Sequence, residues 1–310
     1  MRPLLLVLRA LGLGDFATAV PALRAVRRAF PGHEIVLAAP PVLAPLVEAC
    51  GAVDRLHPTP AYVRGPMSTL DWSGPRPDVA VNLHGRGPQS HRTLRRLRPA
   101  RLLAFASRAA RFRGGPQWSD DEHEVARWCR LLRWYGISAD PADLLLPAPP
   151  PLLSGTVVVH PGASLPERRW PAESFADVAR ALSADGYRVV LTGSADERPL
   201  AVSVAGAAGL AAEDVLAGRT PLSALAAITA HARLVVCGDT GVAHLATAYG
   251  IPAVVLFGPM SPARWGPPAG RERHVALWHG PGGLSGIEVR EVLAAARALL
   301  RAEHRAVAVR

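Results

Sequence analysis

Leu234-Val235-Val236-Cys237-Gly238-Asp239-Thr240-Gly241-Val242-Ala243-His244-Leu245-Ala246 joins an apolar run to a helical pattern through a turn of small and polar residues. Leu234 to Cys237 reads as a strand buried on both faces, as in a parallel sheet, and the apolar positions from Val242 to Tyr249 recur at helical spacing. Asp239 or Thr240 is the expected N-cap. A helix start offers unpaired backbone N–H groups and the positive end of a dipole, and Gly241 lets a ligand oxygen approach the backbone, so a diphosphate fits this turn. Asp239 can bond first-turn N–H groups or a sugar hydroxyl, and His244, one turn on, can reach back to a phosphate or to Asp239. Taken alone, the stretch slightly favours a plain helix cap with a satisfied histidine.

The same strand-to-helix alternation extends outward from it. Strands are expected at Thr156 to His160, Tyr187 to Thr192 and Ala253 to Phe257, with helices at Ala172 to Ala184, Asp196 to Ala208 and Pro221 to Ala230 and a closing helix over about Ser285 to Glu303. The first half carries the pattern too. Strands are expected at Pro3 to Leu8, Glu34 to Ala38, Val53 to His57 and Asp78 to Leu83, with helices at Ala17 to Ala29, Val42 to Cys50, Pro88 to Leu97 and Glu122 to Tyr135. Leu146-Pro147-Ala148-Pro149-Pro150-Pro151 can continue neither a helix nor a central strand and is the expected linker. The class is therefore α/β: two doubly wound, Rossmann-like domains, 1–150 and 151–310, facing a central cleft, with the final helix expected to pack back on the first.

All 35 basic residues other than histidine are arginine. Arginine should therefore stand wherever a related protein uses lysine. Residues 1–150 hold 20 arginines against 12 acids and residues 151–310 hold 15 against 13, so the first half is the basic one. Arg86 to Arg113 contains nine arginines and no acid, a field that an anionic acceptor, a membrane surface or a nucleic acid could use. Lacking aromatic interleaving and any DNA-reading motif, it does not read as a nucleic-acid site, and a solvated basic face is the simplest account. Cys50, Cys129 and Cys237 are scattered, without metal-ligand spacing, and are expected as core thiols. No apolar run is long enough to span a membrane, so the chain is expected in the cytoplasm, with peripheral contact at the inner face of the membrane left open.

Three further loops follow expected strands. Gly12-Leu13-Gly14-Asp15-Phe16-Ala17 formally matches the dinucleotide fingerprint G-x-G-x-x-A, but Asp15 would put a carboxylate where a pyrophosphate should bind, and the second strand ends without an acid for a ribose. Asp15 suits a general base or a helix cap better. His160-Pro161-Gly162-Ala163-Ser164-Leu165-Pro166-Glu167-Arg168-Arg169-Trp170-Pro171 combines small residues, a hydroxyl at Ser164 and permanent charge at Arg168 and Arg169, a fit for a diphosphate. Thr192-Gly193-Ser194-Ala195-Asp196-Glu197 is a strand-to-helix turn that could cap its helix or, through Gly193, line a nucleoside pocket.

Together, G-x-G-D near the N-terminus, H-P-G-A-S with R-R-W-P in the middle and C-G-D-T-G-V-A-H-L-A near the end resemble the ADP-heptose:lipopolysaccharide heptosyltransferase family, glycosyltransferase family 9. The resemblance implies a two-domain GT-B fold and an inverting, metal-independent transfer of a sugar from ADP-heptose, with no cofactor. It implies Asp15 as general base, Arg168 at a position commonly held by lysine near the donor phosphates, and Asp239, Thr240, Gly241 and His244 around the donor. Ser164, Arg169 and Gly193 join the donor set, and Gly14 and Arg86 are expected on the acceptor side. The expected partners are a nucleotide-sugar and a saccharide, lipid-linked or small-molecule acceptor, in lipopolysaccharide or natural-product biosynthesis. A nicotinamide-dependent oxidoreductase using Gly12 and Gly14, a sugar-nucleotide epimerase and a non-catalytic nucleotide-sugar sensor are the competing readings.

Overall fold

The computed structural model describes residues 2–62, 69–268, 270, 272–280 and 282–308. The chain divides into two compact units, Met1–Leu146 and Pro147–Arg310.

Unit 1 alternates β1 (Leu4–Leu8), α1 (Leu13–Ala29), β2 (Glu34–Ala39), α2 (Ala44–Cys50), β3 (Arg55–Pro58), β4 (Val79–Asn82), α3 (Gln89–Arg96), β5 (Arg101–Leu103) and α4 (Glu124–Trp134). Its five strands lie in the order β3-β2-β1-β4-β5, and every pairing is parallel. All five residues of β1 are buried, as a central strand covered on both faces requires. The chain winds one way from β1 through β2 to β3, then returns to lay β4 on the other side of β1. That reversal leaves a crevice at the carboxyl ends of β1 and β4, where α/β sheets take their ligands.

Unit 2 repeats the plan with β6 (Val157–His160), α5 (Ala172–Ala184), β7 (Val189–Leu191), α6 (Arg198–Ala208), α7 (Leu222–Ala230), β8 (Leu234–Gly238), α8 (Gly241–Tyr249), β9 (Ala253–Leu256), α9 (Pro262–Trp265), β10 (His274–Leu277) and α10 (Val289–Ala308). The order is β10-β9-β8-β6-β7, again all parallel, so the reversal falls between β6 and β8. His160 and Cys237 are register partners there, which brings the loops after both strands to one place. Side chains alternate between two cores. Val157 and Val159 pack with Phe175, Leu182 and Val292 on one face, and Val158 and Val235 pack with Ile228, Val242 and Ala246 on the other. Deleting a side chain such as the fully buried Phe175 would cost about 3–5 kcal/mol.

The doubly wound α/β class is as the alternation implied. Three details differ. α1 begins at Leu13, four residues before its apolar pattern starts, because Gly12 is already extended and can act as the N-cap. β5 and β10 were not expected: one is a three-residue edge strand inside the arginine run, the other a four-residue edge strand after a Pro- and Gly-rich stretch. Within unit 2 the closing helix packs on α5, β8 and β9 and buries Val292, Ala296 and Leu300. Cys50, Cys129 and Cys237 are free and buried. Among the described residues no helix is long and apolar enough to cross a membrane.

Candidate active site

In unit 1 the crevice at β1 and β4 is built around a buried cation. Arg9, one residue beyond β1, is 1% exposed. Its Nε donates to the Asp15 carbonyl at 2.9 Å and its Nη1 to the Leu83 carbonyl just past β4. Its Nη2 faces Glu124 Oε1 at 3.1 Å, Thr18 Oγ1 at 3.3 Å and Asp15 Oδ1 at 3.4 Å. Glu124 is itself buried, accepts from Trp128 Nε1 at 2.9 Å and pairs with Arg127. The guanidinium of Arg9 stacks on the Trp128 ring, 4.6 Å from its centroid. A buried charge of this kind is tolerable only when paired and hydrogen-bonded throughout, as here.

Asp15 stands in the first turn of α1 with the other carboxylate oxygen, Oδ2, accepting the Gly12 N–H at 3.2 Å. It is thus both cap and candidate base: the cap bond fixes one oxygen, and the side chain stays 27% exposed. Burial pushes its carboxyl above the ordinary range; Arg9 pulls it back down and Glu124 adds to the rise. A raised carboxyl accepts a proton more readily, which is what a general base requires. Gly14 lies beside it in the same turn. His84 follows β4, and burial, reinforced by Arg9, lowers its pKa to about 4. It is a neutral imidazole at neutral pH. Arg86 is exposed and pairs with Asp120 at 3.4 Å, a surface contact.

In unit 2 the loops after β6, β7 and β8 converge. Thr240 is the N-cap of α8, in extended conformation, and its side chain makes no capping bond. Asp239, 11% exposed, points toward Arg168, whose Nη1 lies 3.9 Å from its Oδ2. Burial raises the Asp239 carboxyl, with His244 and Arg168 opposing the rise. The approach depends on Gly238: a Cβ there would sit 3.3 Å from the Arg168 carbonyl, so the 3₁₀ turn Pro166–Arg168 rests on the bare end of β8. His244 packs edge-on against Trp265, ring centroids 5.9 Å apart. Gly241 opens the helix directly after Thr240. Cation, carboxylate and unpaired helix-start N–H groups thus meet at one corner, able to hold an anion and a hydroxyl.

Arg169, expected beside Arg168 in the donor set, lies on the same loop and braces it. Its Nε and Nη2 both donate to the Ala163 carbonyl, at 3.0 and 2.9 Å, bracing the chain that carries the exposed Ser164. The turn after β7 is closed by a reciprocal pair. Glu197 Oε2 accepts the Ser194 N–H at 2.8 Å, and Ser194 Oγ accepts the Glu197 N–H at 3.3 Å. The Glu197 carboxylate lies where a side chain on Gly162 would be, and Gly193 leaves room for its stem. His160 is buried against Thr192 Oγ1 at 3.1 Å, and burial holds its pKa down while Glu197 opposes.

Each expected donor residue lies on one of the three converging loops or on α8. Sequence reasoning missed Arg9, Glu124, His84 and Glu197. The signal for Arg9 was a charge directly after an unbroken apolar strand, where no solvated arginine belongs. Glu124 was hidden in an acidic run, and its burial depends on Trp128 one turn along.

Residues 137–282 match the family model of glycosyltransferase family 9 (heptosyltransferase). Lipooligosaccharide heptosyltransferase 2 of Haemophilus influenzae is 36% identical over 106 residues, 33% of this chain and 31% of that protein. The match therefore spans about a third of the curated relative. Among solved structures, the glycosyl transferase family 9 protein from Veillonella parvula DSM 2008 superposes with a TM-score of 0.78 at 20% identity, over 96% of this chain and 97% of that one. The E. coli ADP-heptose LPS heptosyltransferase II superposes with a TM-score of 0.76 at 23% identity, over 98% and 100%. The fold of the chain is that of these proteins, the GT-B fold.

Proposed function

We propose that this chain, whose residues 137–282 carry the glycosyltransferase family 9 (heptosyltransferase) signature, is a glycosyltransferase that moves a heptose from ADP-heptose to a hydroxyl of a saccharide or small-molecule acceptor. The observation that carries the reading lies inside the matched stretch: Arg168, Asp239 and the start of α8 form one corner suited to a sugar diphosphate. Unit 1 supplies the acceptor side, with Asp15 as base and Gly14 beside it.

In this mechanism Asp15 takes the proton of the acceptor hydroxyl as that oxygen attacks the anomeric carbon from the side opposite the leaving group, inverting the centre. The bond to the departing diphosphate breaks, and the negative charge growing there is met by Arg168 and the α8 N–H groups. Both charge changes fall on residues of the chain, so the step is written without a metal or cofactor. Asp239 orients the sugar or the nucleotide through its carboxylate, and His244 supports it. In this reading the transfer takes place in the cytoplasm.

A nicotinamide reading of Gly12 and Gly14 is opposed by Asp15, whose carboxylate occupies the Gly12 N–H that a pyrophosphate would need. Calorimetric titration with ADP, UDP, GDP, NAD and ADP-heptose tests the assignment. Preference for ADP and its heptose, weakened by Arg168→Ala, is the expected result; preference for NAD would overturn it.

A further inference from the structure

We propose that unit 1 carries a separate binding site for phosphate groups at its sheet edge, in a cavity of about 280 Å³ lined by Arg95, Arg98, Arg111, Arg113, Leu102 and Phe112. The site goes beyond the transfer reading and does not depend on it. β5, which supplies Leu102, is the edge strand, two strands away from the β1 end that carries Arg9 and Asp15.

The four guanidinium-bearing residues come from three segments: the last turn of α3, the turn into β5, and the 3₁₀ turn Arg108–Ala110 with the residues after it. These segments are tied together. Arg92 Nη2 and Arg95 Nη1 donate to the carbonyls of Ala109 and Ala110, each at 2.8 Å, and Ser107 and Phe112 exchange both backbone hydrogen bonds. Arg76 Nε reaches the Arg98 carbonyl and pins the remaining wall. The arginines are therefore mounted on a fixed frame.

Among the described residues Arg95, Arg98, Arg111 and Arg113 form no ion pair with a carboxylate, although Arg86 upstream does. Like charges gathered on a rigid rim repel one another, and a polyanion relieves that repulsion. The guanidinium fork fits phosphate oxygens bidentately, and Leu102 and Phe112 offer an apolar floor for whatever carries the phosphate.

A second observation concerns the backbone. Arg98 and Arg111, at φ 51° and 50°, are the only non-glycine residues with positive φ among those described. L-residues without a short polar side chain pay for that conformation, and glycine does not. The chain uses 28 glycines, many of them at just such turns, yet both strained positions on this one cavity hold arginine. Strain retained at two neighbouring positions points to a use for the side chains.

Glycine at these two positions removes the charge and the strain together. In the full chain, Arg98→Gly/Arg111→Gly should melt at or above the wild-type temperature while losing at least about tenfold in affinity for inorganic pyrophosphate, titrated with ADP saturating so that the second unit's corner is filled. Arg168→Ala should leave this binding unchanged, which separates the site from the donor reading. Should the glycine variant not fold, Arg95→Gln/Arg113→Gln removes charge at ordinary backbone geometry and carries the same expectation. Sedimentation with phosphatidylglycerol-containing vesicles, against pure phosphatidylcholine, identifies the source. Loss of vesicle binding in the same variants assigns a lipid headgroup, and pyrophosphate binding without vesicle binding assigns a soluble phosphate-bearing ligand. Undiminished pyrophosphate affinity in the variants, or no pyrophosphate binding by the wild type, overturns the proposal.

Discussion

Arg9 Nη2 lies 3.1 Å from Glu124 Oε1, so the cation beside the candidate base is already matched by a second, fully buried carboxylate. The consequence is electrostatic. Arg9 alone would draw the Asp15 carboxyl down, and Glu124, by adding negative charge, works the other way. The pairing lets Arg9 hold Asp15 in place without fully quenching its basicity.

Glu124→Gln should therefore shift the acidic limb of the transfer rate to lower pH. The substitution removes the charge that helps hold the Asp15 proton and leaves Arg9 to lean on Asp15. Because Arg9 and Arg127 each lose a charged partner, a stability loss of about 2–4 kcal/mol is expected as well. The check is kcat/KM as a function of pH; a limb that stays in place would mean Glu124 is structural only.

Asp15→Asn should cut transfer by about 10²- to 10⁴-fold while leaving ADP binding intact. It should also stabilise the fold at neutral pH. A carboxyl raised in the native state binds its proton more tightly folded than unfolded, so native stability falls as pH rises from the unfolded pKa to the folded one. Asparagine removes that penalty. Melting temperatures of variant and wild type should converge in acid, below the ordinary carboxylate range, and separate in the variant's favour above it. A melting difference that does not depend on pH would show that Asp15 is not raised.

Much of this architecture was legible because its strands are short, apolar and separated by turn residues. Val235 and Val236 had to be buried on opposite faces, and a parallel sheet with two covering layers is the arrangement that does both. Arg168, Asp239 and His244 stand out as candidates in the sequence because each sits beside a strand-to-helix turn whose chemistry is local. Arg9 with Glu124 escaped because their contact joins residues 115 apart, and nothing at either position states the partner. The distinct contacts of Arg168 and Arg169 escaped for a related reason: two adjacent arginines look alike in sequence, and only the path of the loop decides that one meets Asp239 while the other braces Ala163.

Arg168→Ala should weaken ADP by roughly tenfold to a hundredfold, the value of a charge-assisted contact to phosphate. Arg168→Lys keeps the charge but not the fork and should fall between. Calorimetry reads the effect. Equal affinities for wild type and alanine variant would take Arg168 out of the donor site.

Gly162→Ala tests how the loop after β6 is held against the turn after β7. A Cβ at this position would come within 2.3 Å of Glu197 Cδ, so the carboxylate must leave and give up its bond to the Ser194 N–H. Losing that bond should cost about 1 kcal/mol of stability, and some of the loss falls on the order of the turn rather than on the core. Glu197→Ala removes the clash in advance, so the double variant should be less destabilised than the sum of the two single ones. Strict additivity would mean that the loop accommodates alanine by moving its backbone, and that Glu197 does not set its shape.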